Sequence, residues 1–370
     1  MIIYAAARRS CGVFLPNTYS IAMHLLIDNK IPFIAEAAQQ LGQCTFKEGA
    51  AITRDDLVGV DVLIVRTRTH CNRELLHGTS VRLVVTATIG HDHLDLDYLR
   101  EAGIAWANCP GCNANSVAQY VRAALWLASA EGIVTPQLAR DELAEPLVVG
   151  IVGVGHVGSA VARALEAEGC RILRCDPLKG EPYTLEQLAE QAEVISFHTP
   201  LTTDGPCPTY HLADEAFFQR VARRPLIINA ARGECVDTQA LKVALRDGRV
   251  RQAVIDVWEG EPTPDAELLA AAFIATPHIA GYSADGKANG SRMALEAVAR
   301  HFGLDAPTVP SPRTLEAHES YGPLRYPAES FSPRALAQLR RYNPMVDSRR
   351  LKAAPDQFEQ LRGNYPFRRE

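Results

Sequence analysis

At Leu147–Gly158 the chain reads LVVGIVGVGHVG, and this stretch decides the fold of the 370-residue protein. The apolar run from Leu147 to Val152 is typical of a buried strand, and Gly153, Gly155 and Gly158 follow it at once. Such glycines permit a tight turn, let the backbone approach a pyrophosphate and allow the next helix to pack on the strand. The pyrophosphate would lie at the helix N-terminus, where unpaired N–H groups favour negative charge. The stretch therefore predicts a dinucleotide-binding strand–turn–helix unit.

The end of the next predicted strand indicates which dinucleotide binds. Asp176 directly follows the strand Arg171–Cys175 and stands 18 residues beyond Gly158. A carboxylate at this place accepts hydrogen bonds from the ribose hydroxyls and repels a 2′-phosphate. The sequence therefore predicts NAD rather than NADP as the cofactor.

Strands and helices alternate on both sides of this unit, which indicates parallel sheets with crossover helices. Before it, we predict helices at Phe33–Leu41, Leu94–Ala102 and Asn113–Ala130, and strands at His24–Asp28, Val60–Val65, Leu83–Thr86 and Ile104–Ala107. After it, we predict strands at Val194–Phe197, Leu226–Asn229 and Ala253–Val257, and helices at Lys287–Phe302 and Pro333–Arg341. The fold class is α/β, with two doubly wound parallel-sheet domains, one flavodoxin-like and one of Rossmann type.

The domain boundaries follow from this alternation. We predict a substrate domain from residues 23–112 and 279–303, and an NAD-binding domain from residues 113–278. Residues 304–370 change in composition, with clustered prolines and arginines, and form either a small α+β domain or an oligomerisation arm. Residues 1–22 are expected to be an extension outside the fold, because Met23 opens the first regular strand.

Composition excludes several classes of protein. The net charge of -5 disfavours nucleic acid as a partner, and the chain contains no apolar run of ~18 residues that would span a membrane. The nine cysteines have no disulfide-framework spacing, which favours a cytoplasmic protein. The lone pair Cys109-Pro-Gly-Cys112 and the segment His91-Asp92-His93 lack further ligand clusters, so we predict no metal site.

Three later segments place reactive side chains after strands, where ligands bind in doubly wound sheets. Arg232, in the Asn229-Ala-Ala-Arg-Gly233 segment, can pair with a carboxylate and polarise a developing carbonyl. His278, after Thr276-Pro277, can take a hydroxyl proton as hydride leaves. Glu261, in Asp256-Val-Trp-Glu-Gly-Glu-Pro262, can orient that base and stabilise its charged form. The constellation predicts oxidation of a 2-hydroxy acid.

These segments and the glycine turn resemble those of the D-isomer-specific 2-hydroxyacid dehydrogenases, over about residues 23–303. Pro110-Gly-Cys-Asn113, Phe197-His-Thr-Pro200, His211-Leu-Ala-Asp214 and His278-Ile-Ala-Gly-Tyr282 further resemble the members that act in vitamin B6 biosynthesis. The resemblance implies that 4-phospho-D-erythronate is oxidised at its C2 hydroxyl, with NAD as acceptor. It also implies a homodimer, formed through a C-terminal region that looks short in this chain.

The resemblance also implies individual roles. Arg232, Glu261 and His278 would be catalytic, with His278 the proton donor and acceptor. The cofactor would be lined by Gly153, Gly155, His156, Val157, Gly158, Asp176, Thr199, Ala230, Ala231, Asp256 and Gly281. Thr67, Thr88 and Tyr282 would contact the substrate. One departure is Gln119, since the family often has an acid at its position.

A phosphorylated substrate requires a second anion site besides Arg232. We predict that Arg66 or Arg68, which follow the Val60–Val65 strand, binds the phosphate, with Lys287 a weaker candidate. The alternative is that both arginines are solvated or form an interdomain ion pair.

Two other functions remain open. One is a related dehydrogenase that acts on 3-phosphoglycerate, glyoxylate or a longer 2-keto acid. The other is a non-enzymatic NAD-sensing protein on the same fold, which could keep the arginine, glutamate and histidine without turnover.

Overall fold

The computed structural model describes residues 23–135, 137–142, 144–312 and 326–370. The predicted N-terminal extension, residues 1–22, lies outside the described residues. The chain divides into two compact units. The first contains the described residues up to Asn113 and those from Ala284 to 312, and the second contains Ala114–Ser283 and residues 326–370.

In the described part of the first unit, a five-stranded parallel sheet has the order β2-β1-β3-β4-β5. This order is the flavodoxin-like one that the sequence predicted. Apolar residues fill the sheet on both faces because helices cover it. Its strands are β1 (His24–Asp28), β2 (Gln43–Lys47), β3 (Val62–Val65), β4 (Leu83–Thr86) and β5 (Ala105–Ala107), and its helices are α1 (Ala35–Ala38), α2 (Arg73–Leu76), α3 (Leu96–Ala102) and α11 (Ala284–Phe302).

The described part of the second unit contains a six-stranded parallel sheet in the order β11-β10-β9-β8-β6-β7. The chain reverses its direction of strand addition between β6 and β8, and ligands bind at such a switch point. The strands are β6 (Val148–Val152), β7 (Arg171–Cys175), β8 (Val194–Phe197), β9 (Leu226–Asn229), β10 (Gln252–Ile255) and β11 (Ile274–Ala275). The helices before residue 300 are α4 (Ala114–Ala130), α5 (Gln137–Arg140), α6 (His156–Glu166), α7 (Leu185–Gln191), α8 (Glu215–Arg220), α9 (Thr238–Arg246) and α10 (Ala266–Ala271).

The C-terminal region is helical in its described part, residues 326–370, where the sequence predicted an α+β arrangement. It contains α12 (Pro333–Arg341), α13 (Pro344–Ala353) and α14 (Phe358–Gly363), and a single bridge pairs Ser283 with Arg368. Residues of these helices and of the turns beside them enter the cores of the second unit; they are Phe331, Ala335, Leu339, Tyr342, Leu351 and Phe358. Among the described helices, none is long and apolar enough to cross a membrane.

Candidate active site

The glycine turn after β6 can form only because Gly153 and Gly158 lack side chains. Gly153 has φ +83°, and a Cβ there would come within 2.9 Å of the His198 carbonyl. A Cβ at Gly158 would lie 2.0 Å from the Gly153 carbonyl oxygen, so α6 packs against the turn itself. Gly155 caps α6 without a side chain, which leaves the first N–H groups of an 11-residue helix accessible to an anion. The turn therefore fits the pyrophosphate of NAD.

Asp176 follows β7 and reaches back to this turn. Its Oδ2 accepts a hydrogen bond from the Val154 N–H at 2.9 Å, and the Lys179 ammonium donates to the Val154 carbonyl at 2.7 Å. Asp176 is half-buried. The carboxylate thus stands beside the glycine turn, where it can accept bonds from ribose hydroxyls. Lys179 was not singled out from the sequence, because a lysine after a strand carries no distinctive pattern.

His278 and Glu261 form a hydrogen-bonded pair. The Nδ1 atom of His278 lies 2.8 Å from Glu261 Oε2 and 3.1 Å from Oε1. The Trp258 N–H donates to Oε1 at 3.1 Å and fixes the carboxylate from a second direction. Because Nδ1 is engaged, Nε2 is the nitrogen of His278 that can take a proton from a substrate hydroxyl. The side chains are 28% and 21% exposed, so the pair can reach a ligand.

Asp256 holds the loop that carries His278. Its buried carboxylate accepts hydrogen bonds from the Thr276 hydroxyl at 2.6 Å, the Ile279 N–H at 2.8 Å and the Ala280 N–H at 2.9 Å. The His278 N–H donates to the Asp256 backbone carbonyl at 2.7 Å. His278 itself has φ +57°, a left-handed conformation that is unfavourable for a non-glycine residue. These four bonds keep the loop in that conformation. They give Asp256 a positioning function besides its predicted place along the cofactor.

Arg232 stands in a turn that presses against the Trp258–Glu259 backbone. A Cβ at Gly233 would lie 2.0 Å from the Trp258 carbonyl carbon, so only glycine permits this approach. The Asn229 side chain donates to the Arg232 carbonyl at 2.9 Å and closes the turn. The guanidinium is half-buried and donates to the Ala231 carbonyl at 2.8 Å through Nη1. The close approach joins the arginine segment to the segment that leads to Glu261.

Burial and neighbouring charges set the protonation of the two carboxyl groups. Burial raises the pKa of Asp256, although the charge of His278 and three hydrogen bonds oppose it. Burial also favours a higher pKa for Glu261, but the bond and charge of His278, the charge of Arg362 and the Trp258 N–H outweigh it. The pKa of Glu261 is therefore below its usual range. Glu261 remains a carboxylate that can stabilise an imidazolium.

Other predicted cofactor residues lie along the same edge of the second unit. The Thr199 hydroxyl donates to Cys235 Sγ at 3.4 Å, and its methyl group stands against the Gly153 turn. The remaining predicted residues occupy the start of α6, the turn before Arg232 and the loop after His278; they are His156, Val157, Ala230, Ala231 and Gly281. The structure thus groups the three catalytic and eleven cofactor candidates within one unit.

The first unit holds the four remaining substrate candidates at the ends of β3 and β4. Arg66 is bound to the buried Asp28 carboxylate, with Nε at 2.9 Å from Oδ2 and Nη2 at 3.3 Å from Oδ1. Thr67 and Arg68 are exposed. The Thr88 hydroxyl bonds to Thr86 at 2.6 Å and to the Gly90 carbonyl at 2.7 Å. Arg66 therefore has a fixed orientation, and its ion pair lies within the unit.

The two motifs considered for metal or redox chemistry, His91-Asp92-His93 and Cys109-Pro-Gly-Cys112, each contain a buried residue that is hydrogen-bonded within the first unit. His93 is buried, its Nε2 lies 3.0 Å from the Thr86 hydroxyl, and burial lowers its pKa to about 4. Burial raises the pKa of Cys109 well above the ordinary thiol value, and its Sγ donates to the Gly290 carbonyl at 3.2 Å. A neutral buried imidazole and a protonated thiol fit hydrogen bonding within a loop.

The C-terminal region supplies contacts that sequence reasoning missed. Arg368 is buried and donates to the carbonyls of Ile279 at 3.1 Å, Tyr282 at 2.7 Å and Ala280. Its Nε donates to Gln119 Oε1 at 2.8 Å. The predicted substrate residue Tyr282 is thus held through its backbone by Arg368. No local pattern could have revealed this, because the partners lie more than 80 positions apart.

Comparison with known proteins agrees with this geometry. Residues 113–280 match the family described as D-isomer specific 2-hydroxyacid dehydrogenase, NAD binding domain. An erythronate-4-phosphate dehydrogenase of Bacteroides thetaiotaomicron is 45% identical over 360 residues, which cover 94% of this chain and 97% of the relative. The chain belongs to the D-isomer-specific 2-hydroxyacid dehydrogenase family. The predicted family is therefore confirmed, and residues 113–280 correspond to its NAD-binding domain.

A second relative carries the same description, and a solved structure of another dehydrogenase superposes on the chain. An erythronate-4-phosphate dehydrogenase of Cronobacter sakazakii is 40% identical over 364 residues, covering 94% of this chain and 92% of the relative. A D-lactate dehydrogenase of Aquifex aeolicus, solved with NAD and lactic acid, superposes with a TM-score of 0.61 at 26% identity. That superposition covers 76% of this dehydrogenase and 96% of the D-lactate dehydrogenase. The erythronate-4-phosphate dehydrogenases therefore match parts of the chain for which the D-lactate enzyme has no counterpart.

Proposed function

We propose that this dehydrogenase oxidises 4-phospho-D-erythronate at its C2 hydroxyl to (R)-3-hydroxy-2-oxo-4-phosphooxybutanoate, in the biosynthesis of pyridoxal 5′-phosphate. The observation that carries the proposal is the match over 94% of the chain to enzymes described as erythronate-4-phosphate dehydrogenases. The His278–Glu261 pair supports the reaction type, because it supplies a positioned base.

The chemistry of each residue follows from the geometry. Gly153, Gly155, Gly158 and Asp176 would hold NAD, which supplies the hydride acceptor when bound. Arg232 would bind the substrate carboxylate and stabilise the negative charge that develops on the C2 oxygen. His278 would accept the hydroxyl proton at Nε2.

Glu261 would then stabilise the imidazolium of His278 through the bond to Nδ1, which is 2.8 Å in length. Because Glu261 is ionised, it can carry this role across the neutral pH range. The proton would leave His278 to solvent after the oxidised acid departs.

The phosphate site is proposed in the first unit. Arg68 lines a cleft of about 540 Å³, whose other lining residues include Arg54, His70 and Asn72 but also the acidic Glu74 and the apolar Ile52 and Leu75. Two arginines in this lining, Arg54 and Arg68, can bind a phosphate. The nearby Arg66 is fixed by its ion pair with Asp28, so its guanidinium has little freedom to follow a ligand. We therefore give Arg68 the larger share of phosphate binding, with Arg66 beside it.

Substitution of the two arginines tests this assignment. Arg68→Met should raise the KM for 4-phospho-D-erythronate about tenfold or more and leave the KM for unphosphorylated D-erythronate nearly unchanged. Arg66 is tested separately by Arg66→Lys, because this variant keeps a positive charge opposite the buried Asp28 carboxylate. Equal effects on both substrates would contradict the phosphate site.

The reaction itself is tested by following NADH absorbance with the purified chain. We expect turnover with 4-phospho-D-erythronate and at least about 100-fold lower kcat/KM with 3-phospho-D-glycerate, D-lactate and glycolate. His278→Gln should lower kcat by at least about 100-fold while NAD still binds. Preference for 3-phosphoglycerate or glyoxylate would favour a related dehydrogenase. NAD binding without turnover of any hydroxy acid would favour a sensing protein.

We further propose that the enzyme is a cytoplasmic homodimer. All eight cysteines in the described part of the chain are free thiols, which suits a reducing compartment. The family resemblance of residues 304–370 supports their role in dimerisation. Sedimentation equilibrium of the purified chain at micromolar concentration tests the dimer, and a monomer would contradict it.

A further inference from the structure

The Glu261 carboxylate has a second basic partner, which comes from the C-terminal region. Nη1 of Arg362, in α14, lies 3.5 Å from Glu261 Oε2, the same oxygen that lies 2.8 Å from His278 Nδ1. The Nε of Arg362 donates to the Tyr282 hydroxyl at 3.4 Å. Arg362 therefore bridges the carboxylate that orients His278 and a residue predicted to contact substrate.

The packing of α14 fixes this arginine. Its side chain is 18% exposed, and the helix is anchored in the second unit by the buried Phe358. Glu359 stands 3.8 Å from Nη1, one helical turn back. The Tyr282 ring meets Tyr365 edge-on at 6.1 Å between ring centres. Arg362 is thus a structured part of the site rather than a solvated surface arginine.

We propose that Arg362 is a positioning residue, which shares the Glu261 carboxylate with His278 and so controls how readily His278 takes up a proton. The inference rests on the proposed function in one respect, the use of His278 as the base. It assigns a catalytic influence to the C-terminal region, in addition to any role in assembly.

The expected direction follows from the charges around the pair. Asp256 and Glu261 both interact electrostatically with His278, and Glu261 also interacts with Arg362, which contacts Tyr282 and Glu359. A fixed positive charge beside Glu261 opposes a second positive charge on the imidazole. Without Arg362, the negative charge of Glu261 would stabilise the His278 imidazolium alone, because the Trp258 N–H still holds the carboxylate in place. His278 would therefore take up its proton at higher pH.

The first test needs no substrate. In the NAD-free protein, the His278 ring resonances are followed by NMR against pH and assigned by their loss in His278→Gln. In Arg362→Met we expect the titration midpoint of His278 to rise by about 0.5–1 pH unit. Arg362→Lys should restore most of the wild-type midpoint, and Arg341→Met, an exposed arginine at the end of α12, should leave it unchanged. An unchanged or lower midpoint in Arg362→Met would overturn the proposal.

The second test is kinetic. The acidic limb of kcat/KM for hydroxy-acid oxidation should move to higher pH by the same amount in Arg362→Met, with the KM for NAD unchanged. Arg362→Gln keeps a donor for Tyr282 and should show the same shift if the methionine variant fails to fold. A uniform loss of kcat at every pH would mean that Arg362 acts on structure alone. If wild type turns over no hydroxy acid, the proposed function fails, while the NMR titration still decides the role of Arg362.

Discussion

The carboxylate of Asp256 anchors the loop that carries His278, so Asp256→Asn tests how the active site is held together. The side chain is 1% exposed. Its Oδ1 accepts from the Thr276 hydroxyl and the Ile279 N–H, and its Oδ2 accepts from the Ala280 N–H. Asparagine keeps the shape but has only one acceptor oxygen. Its NH2 group must therefore face at least one of these donors.

The size of the effect can be estimated from these bonds. One buried N–H without a partner costs about 1–3 kcal/mol, and loss of charge weakens the other two bonds by roughly 1 kcal/mol each. Burial raises the pKa of Asp256, so the neutral amide recovers about 1–2 kcal/mol of desolvation. Taking the middle of each range, we expect a net loss of about 2–3 kcal/mol in the free energy of unfolding. For a unit of this size, that is a fall in Tm of about 4–12 °C.

The same change should reduce kcat, because the bonds to Asp256 hold His278 in its unfavourable left-handed conformation and so determine where its ring lies. A displacement of about 1 Å costs roughly 100-fold in rate. Thermal unfolding by circular dichroism and kcat by NADH absorbance measure the two effects. Asp247→Asn is the control, since its carboxylate is 48% exposed and pairs only with Arg249 among the described contacts. A Tm within 1–2 °C of wild type and a normal kcat would refute the reasoning, and would mean that Asp256 already carries a proton.

Three further predictions concern single carboxyl groups. Glu261→Gln should lower kcat roughly 10²–10⁴-fold with little change in the KM for NAD, because a neutral amide cannot stabilise the imidazolium; a normal kcat in steady-state assays would contradict this. Asp176→Ser should lower kcat/KM for NAD and raise it for NADP, by about tenfold or more in their ratio, since the group that repels the 2′-phosphate is lost; an unchanged ratio would argue against the ribose contact. Burial raises the pKa of Asp347 to about 6 from 3.8, so its contribution to stability is present below about pH 4 and is lost as pH rises through about 6. The free energy of unfolding should accordingly fall by about 2–2.5 kcal/mol between pH 4 and pH 7 in urea titrations, and Asp347→Asn should remove that fall; an equal fall in the variant would disprove it.

The strands of both sheets could be predicted well because buried parallel strands are continuous apolar runs. β1, β4, β7, β8 and β9 have the predicted bounds. The strands β2, Gln43–Lys47, and β11, Ile274–Ala275, were missed: β2 lies at the sheet edge with half-buried or exposed residues, and β11 has only two residues. The predicted helix Phe33–Leu41 shrinks to Ala35–Ala38. Phe33 has φ +63°, which no right-handed helix can include.

The site was predictable to the extent that strand order determines it. Arg232, Glu261 and His278 follow β9, β10 and β11, and the ends of parallel strands meet at one edge. The contact of Glu261 with His278 follows from that placement. The structural role of Asp256 did not, because the hydrogen-bond acceptors of a buried carboxylate depend on how the next loop folds over it. The candidate Asp176 was predicted from its place at the end of a strand and its distance from the glycine turn.

The contacts that the C-terminal region makes with Gln119 could not be predicted from the sequence. Gln119 looked like a departure, since the family often has an acid there. In the structure its Oε1 accepts from Arg368 Nε at 2.8 Å, and its Nε2 donates to the Arg369 carbonyl at 2.8 Å. A carboxylate accepts hydrogen bonds and cannot donate, so an acid at this position would leave the Arg369 carbonyl without this donor. The amide is the group that satisfies both partners. Gln119 therefore fits a site in which the chain terminus, through Arg368, holds the backbone that follows His278.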